Sequence, residues 1–445
     1  MGSIVLSSSQ ETACDAFRAF IQDPEKKEFL LSGPAGTGKS FLTNYMLDVV
    51  KDEHELVRLI KPGTPSPRFH YTATTNKAAG VLGNMTGGDA KTIHSALGLT
   101  IRNNFKTGKV SLQRGRGEAI NLNEGILIVD ESSMVNWDLL QWIQKAQDKH
   151  RNCKILYIGD SYQLPPVNED TCPIFQQIQD QYHLVDIHRQ AAGSPIIQLS
   201  QGYRKCLDDP TQAWPEVVAD NTAIFTYSEP KAWRKVLRDH YTAQHEPDDL
   251  RILAWTNDRV GGYNSWLRTQ LGYGEHPVPG EVVLSNSTLV LDSGRVLAAT
   301  DSRHTIQEVD SADQCGIAGY KLSLVSAEGA PLSVFQPKDW NEARMFLKKL
   351  ARAKDWPEYF GVKNSWADMR PIHTQTVHKS QGSTYKKVFI DVTDIGKNSR
   401  WTEVARLMYV AITRASDEVH IFGQLPPRPT AATAARTAQD VLSSL

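Results

Sequence analysis

The sequence predicts an α/β protein with two parallel sheets, interrupted by a small β-hairpin and by a second β-rich insertion. Three observations predict it. Short apolar runs ending in a polar residue alternate with helically patterned segments, in two separate series along the chain. From about 279 to 336 this rhythm gives way to short strands broken by Gly, Asp-Ser and Pro, the pattern of a small β-barrel. The chain, at 445 residues, is also too long for one hydrophobic core.

The first series opens with Glu28–Ser32, which leads through a Gly-rich turn into 41–50, apolar at helical spacing. Runs at 69–74, Gly125–Asp130 and 154–160 repeat the scheme. The second series has strands at 251–256, 387–392 and 418–422, with helices at 258–271 and 402–415. Between motifs of the first series, 102–117 carries Arg102, Lys106, Lys109, Arg114 and Arg116 and no acid. Thr107-Gly108-Lys109 reads there as the turn of a hairpin. After the barrel pattern, 339–355 is amphipathic and helical, and Trp356, Tyr359, Phe360 and Trp366 follow it. The Pro/Ala/Thr-rich tail from Pro426 reads as flexible.

Composition narrows the class. The apolar fraction of 40% and charged fraction of 22% are those of a soluble globular protein. No apolar run has the length of a bilayer span and Met1-Gly2-Ser3 opens no secretory leader, so no membrane role is expected. Five scattered cysteines, without a C-x-x-C pair, argue against a zinc site or a disulfide framework. They fit a reducing, cytoplasmic compartment, such as the nucleoid or the cytoplasm of a phage-infected host. With a net charge of −1, any grip on a phosphate backbone must come from locally concentrated basic groups.

Gly33-Pro34-Ala35-Gly36-Thr37-Gly38-Lys39-Ser40 matches the P-loop pattern G-x4-G-K-[ST], between a strand and a helix. The glycines let successive N–H groups face phosphates, and the helix N-terminus adds its dipole. In that frame Lys39 reaches the β/γ-phosphates and Ser40 holds Mg²⁺, so ATP and Mg²⁺ are the expected cofactors. Asp130-Glu131 ends an apolar strand, where a Walker B aspartate holds the metal and the next carboxylate polarises the attacking water.

Further motifs carry a resemblance. Asp130-Glu131-Ser132-Ser133-Met134, the stretch Gly159-Asp160-Ser161-Tyr162-Gln163-Leu164-Pro165-Pro166-Val167, Thr376-Val377-His378-Lys379-Ser380-Gln381-Gly382 and Met408-Tyr409-Val410-Ala411-Ile412-Thr413-Arg414-Ala415 occur in this order. They resemble motifs II, III, V and VI of superfamily 1 helicases in their RecD/Dda-like branch, over most of the chain from Gln10 to Phe422. The resemblance implies two RecA-like domains, 1A over 1–100 and 118–190 and 2A over 191–275 and 370–425, with ATP between them. Gln10 would read adenine, Gln163 would sense the γ-phosphate, and Gln381 and Gly382 would face the nucleotide from motif V. Arg189, in a motif IV-like stretch, and Arg414 would stabilise charge spread over the γ-phosphate oxygens.

A translocase grips single strands through phosphates and stacking, without reading sequence. By the same resemblance Thr74, Thr75, Asn76, Lys77, Thr92, His94 and Pro165 form the grip of 1A. Thr256, Asn257, Thr376, His378 and Lys379 form that of 2A. The basic hairpin 101–117 (1B) occupies the place of a duplex-splitting pin, with Phe105 or Leu112 as the wedge; a solvated loop is its plain alternative. Residues 276–369 (2B) resemble an SH3-like barrel whose helix and aromatic segment form a tower packing on the pin, and 426–445 is the flexible tail. The expected protein is a monomeric ATP-dependent DNA helicase, moving 5′ to 3′, in replication, recombination or repair. Its expected partners are single-stranded and forked duplex DNA, with replication or single-strand-binding proteins. Two alternatives stand beside it: a superfamily 1 RNA helicase, since such contacts barely sense the 2′-hydroxyl, and a nucleic-acid-stimulated P-loop ATPase that does not unwind.

Overall fold

The computed structural model describes residues 6–64, 66–115, 119–167, 169–186, 193–209, 211–290 and 296–428. Six parallel strands make the first sheet, in the order Lys91–Thr92, Arg68–Ala73, Gly125–Asp130, Lys154–Gly159, Glu28–Ser32, Gln181–His183. Residues Gly125 to Val129 are buried in succession because helices cover both faces of this sheet. Phe17, Phe20, Leu42 and Met46 pack on one face, and Leu139, Leu140, Ile143 and Cys153 on the other. The P-loop helix runs Lys39–Ile60, ten residues beyond the predicted 41–50. Its burial stops at Val50, and the half that follows lies in solvent, with Leu56, Val57, Leu59 and Ile60 exposed, helical by propensity rather than by burial.

The second sheet has five parallel strands, in the order Thr374–Thr376, Leu250–Ala254, Tyr385–Asp391, Ala415–Phe422, Ile224–Tyr227. The helix Trp401–Thr413 is buried continuously from Leu407 to Ile412 and packs on the helix Pro195–Asp208. Both parallel sheets fit RecA-like domains. Apart from the P-loop helix, the predicted strands and helices of these two units recur within a few residues at each end.

Two regions differ in detail from the expected shape. The region expected as a barrel is a five-stranded antiparallel sheet in the order Pro331–Pro337, Ile317–Ser326, Arg303–Gln314, Val282–Ser285, Met369–Pro371. Its two end strands share no ladder among the described residues, but the sheet curls so that its edges meet: Ala367 N–H donates to Phe335 O at 2.7 Å and Met369 N–H to Gln336 Oε1 at 2.8 Å. The last strand follows the helices instead of preceding them. The two central strands run on as a long ribbon, reversing at Cys315-Gly316, both with positive φ. Its outer end packs through Ile317 on Ala343, Val362 and Trp366, from the helices Trp340–Ala353 and Trp356–Ser365. The tail is docked at its start, where Trp214 Nε1 donates to Pro426 O at 3.0 Å and Arg428 stacks 3.9 Å over Trp401.

The hairpin pairs Leu99–Asn103 with Val110–Arg114, beginning two residues before the predicted 101. Asn104 Oδ1 accepts from the N–H groups of Lys106 and Thr107, and Gly108 at φ +70 completes the turn. Arg116 and Gly117 lie outside the described residues. No helix among the described residues is long and apolar enough to cross a membrane.

Candidate nucleotide site and nucleic-acid track

Strand Glu28–Ser32 ends in a loop whose Gly36 (φ +89) and Gly38 (φ +77) are left-handed, a conformation glycine adopts without strain. Lys39 opens the following helix, and its Nζ donates to the carbonyls of Gly33 (2.7 Å) and Pro34 (2.9 Å). Gly33 has no room for a side chain, since an added Cβ would stand 2.9 Å from Leu184 Cβ. Thr37 is buried and its hydroxyl donates to Pro34 O. Gln10 Nε2 reaches Thr37 O at 3.4 Å, while the same side chain closes a capping box with Ser7. Ser40 lies beside Lys39 in the first turn.

Asp130 and Glu131 stand at the carboxyl end of the central strand of this sheet. Asp130 Oδ1 accepts from the Glu131 N–H at 2.8 Å, and Glu131 itself is left-handed at φ +51. Burial, with the Glu131 charge next, pushes the Asp130 carboxyl up to about 7. A carboxyl short of compensating charge, beside a P-loop, is the environment a divalent cation relieves, so Ser40 and Asp130 fit Mg²⁺ bound with a nucleotide.

The second sheet closes over this site through motifs V and VI. Gly382 is at φ +71, and an added Cβ would lie 3.3 Å from Ala78 Cβ and 3.9 Å from Glu131 Cγ. Gln381 Nε2 donates to Leu164 O at 3.2 Å. Gln163 is buried and its Oε1 has no hydrogen-bond partner among the described residues. Arg414 is buried within its own unit, donating to Val410 O, Ser383 O and the Thr413 hydroxyl. Arg189 lies outside the described residues.

Two residues that sequence reasoning passed over make the contacts across the cleft. Arg406 donates to the carbonyls of Ser161 and Gln163, the latter at 2.7 Å. The Tyr409 hydroxyl donates to Asp160 Oδ2 at 2.6 Å and accepts from the Ala35 N–H at 3.0 Å. Their signal was present in the sequence: two polar side chains three residues apart within 404–412, a stretch of the helix that is otherwise apolar.

Of the nucleic-acid residues, Thr75, Thr92 and Thr256 each cap a helix, accepting from Ala78, Ser95 and Arg259 N–H respectively. Asn76 and Lys77 open the first of these helices, and Lys77 Nζ lies 4.8 Å over the Tyr385 ring of the second sheet. Thr74 donates to Glu131 O at 3.1 Å, joining the track to the nucleotide site. Thr256 also donates to Asp394, which accepts in addition from the N–H groups of Trp255 and Thr256. Thr376 is buried and accepts from Lys379 N–H. Asn257 accepts from Arg370 at 2.9 Å, and Lys379 Nζ donates to Asn286 O at 2.8 Å, both partners belonging to the β-rich insertion. Burial lowers the affinity of His94 and His378 for a proton below the ordinary range, which favours neutral rings. Pro165 lines a cavity with Asp160, Gln163 and Arg406. Phe105 projects from the hairpin, largely exposed.

A family model described as an AAA domain matches residues 5–212, and one described as a UvrD-like helicase C-terminal domain matches 371–422. Over 466 residues the chain is 22% identical to the ATP-dependent DNA helicase dda of Enterobacteria phage T4, covering 93% of this chain and 98% of that protein. It is 32% identical over 175 residues to the ATP-dependent RecD2 DNA helicase of Deinococcus radiodurans, covering 39% of this chain and 21% of that protein. A solved structure of two Pif1 helicases coordinating at forked double-stranded DNA shares the fold, with TM-score 0.50, 16% identity and coverage of 99% and 98% of the two chains.

Proposed function

We propose that this chain, a superfamily 1 helicase of the Dda-, RecD- and Pif1-like group, is an ATP-dependent DNA helicase that moves 5′ to 3′ along a single strand and opens the duplex ahead of it. The observation that carries the reading is the meeting of Gly382, Arg406 and Tyr409 of the second sheet with Glu131, motif III and the P-loop of the first. A pocket built from two units changes shape when they move, which is what couples hydrolysis to stepping.

Lys39 draws the β/γ-phosphates and Gln10 faces the base. Ser40 and Asp130 would hold Mg²⁺, which when bound with the nucleotide would supply charge neutralisation on the phosphates. Glu131 orients the attacking water and takes its proton. Gln163 contacts the γ-phosphate, and Arg189 and Arg414 stabilise the charge that spreads over its oxygens. In the described arrangement Arg414 is turned into its own unit, so it reaches the phosphates only when the cleft closes further.

The domain limits we assign are 1A over 1–98 and 118–190, the pin over 99–117, 2A over 191–275 and 372–425, and an SH3-like 2B with its tower over 276–371. The strand Leu99–Asn103 and the end strand Met369–Pro371 support these limits. Single-stranded DNA runs past the capped helices beginning at Asn76, Ile93 and Asn257, whose free N–H groups suit phosphates. Asn286 and Arg370 stand where the strand would meet Lys379 and Asn257, so 2B takes part in that grip.

ATP turnover measured alone, with single-stranded DNA and with single-stranded RNA tests the reading. Stimulation by DNA of about tenfold or more is expected. Stimulation by RNA alone would make the substrate RNA, and no stimulation by either would remove the motor reading.

A further inference from the structure

We propose that Tyr409 is a positioning residue that couples occupancy of the P-loop to the helix carrying the second unit's arginines. The inference rests on the helicase reading and assigns a task to a side chain that reading leaves without one. Tyr409 is 1% exposed, and its hydroxyl uses both of its capacities on the opposite unit. It donates to Asp160 Oδ2 at 2.6 Å and accepts from the Ala35 N–H at 3.0 Å.

Each partner leads to a different part of the nucleotide site. Ala35 belongs to the P-loop, whose N–H groups are those a phosphate oxygen takes up. Asp160 is fully buried; its other oxygen accepts from Tyr162 N–H at 3.0 Å, and its carbonyl accepts from Gln163 N–H at 3.1 Å. One turn before Tyr409, Arg406 holds the carbonyls of Ser161 and Gln163 from the same helix. At the C-terminal end of that helix sits Arg414. A phosphate oxygen arriving at Ala35 competes with the phenol for one N–H, while Asp160, buried and fixed by Tyr162 N–H, keeps its hold on the phenol. Loading the pocket therefore changes one of the two bonds that fix helix Trp401–Thr413, and by reciprocity moving the helix changes the pocket.

Tyr409→Phe removes the hydroxyl and keeps the ring. At saturating single-stranded DNA, kcat for ATP is expected to fall by about tenfold or more while KM changes by less than about threefold, because the phosphate-binding groups remain. Asp160→Asn keeps an acceptor for the phenol only by giving up the one toward Tyr162 N–H, so it is expected to keep more of the turnover than Asp160→Ala, which loses both. Combining Asp160→Ala with Tyr409→Phe should cost little beyond the worse single change, the sign of one shared bond. A Phe variant with kcat within about twofold of the parent, kcat and KM damaged in equal proportion, or fully additive changes would each overturn the proposal. If Tyr409→Phe lowers the melting temperature so far that it cannot be assayed, the Asn and Ala variants of Asp160 read the same bond, and equal turnover in both overturns it. A parent that DNA does not stimulate sinks the helicase reading together with this inference; a stimulated parent with an unaffected Phe variant sinks this inference alone.

Discussion

Phe105, at the turn of the basic hairpin, lies edge-on to Phe360 of the helix Trp356–Ser365, with ring centroids 5.7 Å apart and planes at 86°. Beside it, Gly108 presses so close to Trp356 that an added Cβ would fall 2.6 Å from the indole ring. The hairpin thus leans on an aromatic wall supplied by the β-rich insertion, the support that the role proposed for it as a duplex-splitting pin would require.

Removing the wall should therefore uncouple unwinding from turnover. In Trp356→Ala, strand separation on a forked duplex is expected to fall by about tenfold or more, with single-strand-stimulated ATP turnover within about twofold of the parent. Parallel loss of both activities would mean that the contact supports the fold and not the fork.

Lys39 and Glu131 should separate binding from chemistry. Lys39→Ala removes a charge on the phosphates, so nucleotide affinity and turnover should fall together. Glu131→Gln should keep Mg-ATP bound, as read by equilibrium titration, while hydrolysis slows by on the order of a hundredfold or more. Hydrolysis within tenfold of the parent would exclude Glu131 as the base.

Arg414 has a structural task beside the chemical one proposed for it. Its guanidinium satisfies the carbonyls of Val410 and Ser383 inside the second unit. Arg414→Lys should lower kcat by about tenfold or more with a smaller change in KM, since an ammonium lacks the planar fork. Arg414→Ala should in addition lower the melting temperature, because it leaves those buried carbonyls unpaired. Equal loss of ATP affinity and rate in the Lys variant would make this a ground-state contact.

Much of this was legible in the sequence because it is local. A P-loop, an acidic pair after a strand and threonine caps each follow from residues adjacent in the chain, and the structure brings Lys39, Asp130 and Glu131 to one end of the first sheet. What stayed hidden depends on pairing at a distance. The antiparallel ribbon 303–326 reads as short strands because its outer half alternates only weakly between buried and exposed positions. Thr256 reads as a contact to nucleic acid, but its bond to Asp394, far along the chain, shows only in the fold. Arg406 and Tyr409 escaped notice because the motif drew attention to Arg414.

Acid should weaken the second unit first. His420 is sandwiched between Phe225 and Phe389, with centroids 4.6 and 4.4 Å away, and bonds to Tyr227 and Glu418 at 3.0 Å. Burial holds its imidazole down at about 4, against 6.5 for the free side chain. The unfolded chain then binds the extra proton between those values, so stability is full above about 6.5 and is lost as pH falls toward 4, by on the order of 3 kcal/mol. Melting temperatures at pH 7.5 and 5 should differ less in His420→Asn than in the parent; an equal difference in both would place the titration elsewhere.

Direction of travel tests the central claim most directly, because the helicase motifs are shared by motors of both polarities and only the branch distinguishes them. Two duplexes differing solely in which strand overhangs, at moderate salt so that non-specific binding does not mask the preference, give the comparison. Strand release with ATP from the 5′-tailed duplex, and little from the 3′-tailed one, is the result expected. Efficient release from the 3′ tail with none from the 5′ tail would contradict the 5′-to-3′ assignment, and release from neither, in a protein that hydrolyses ATP on single strands, would contradict the unwinding itself.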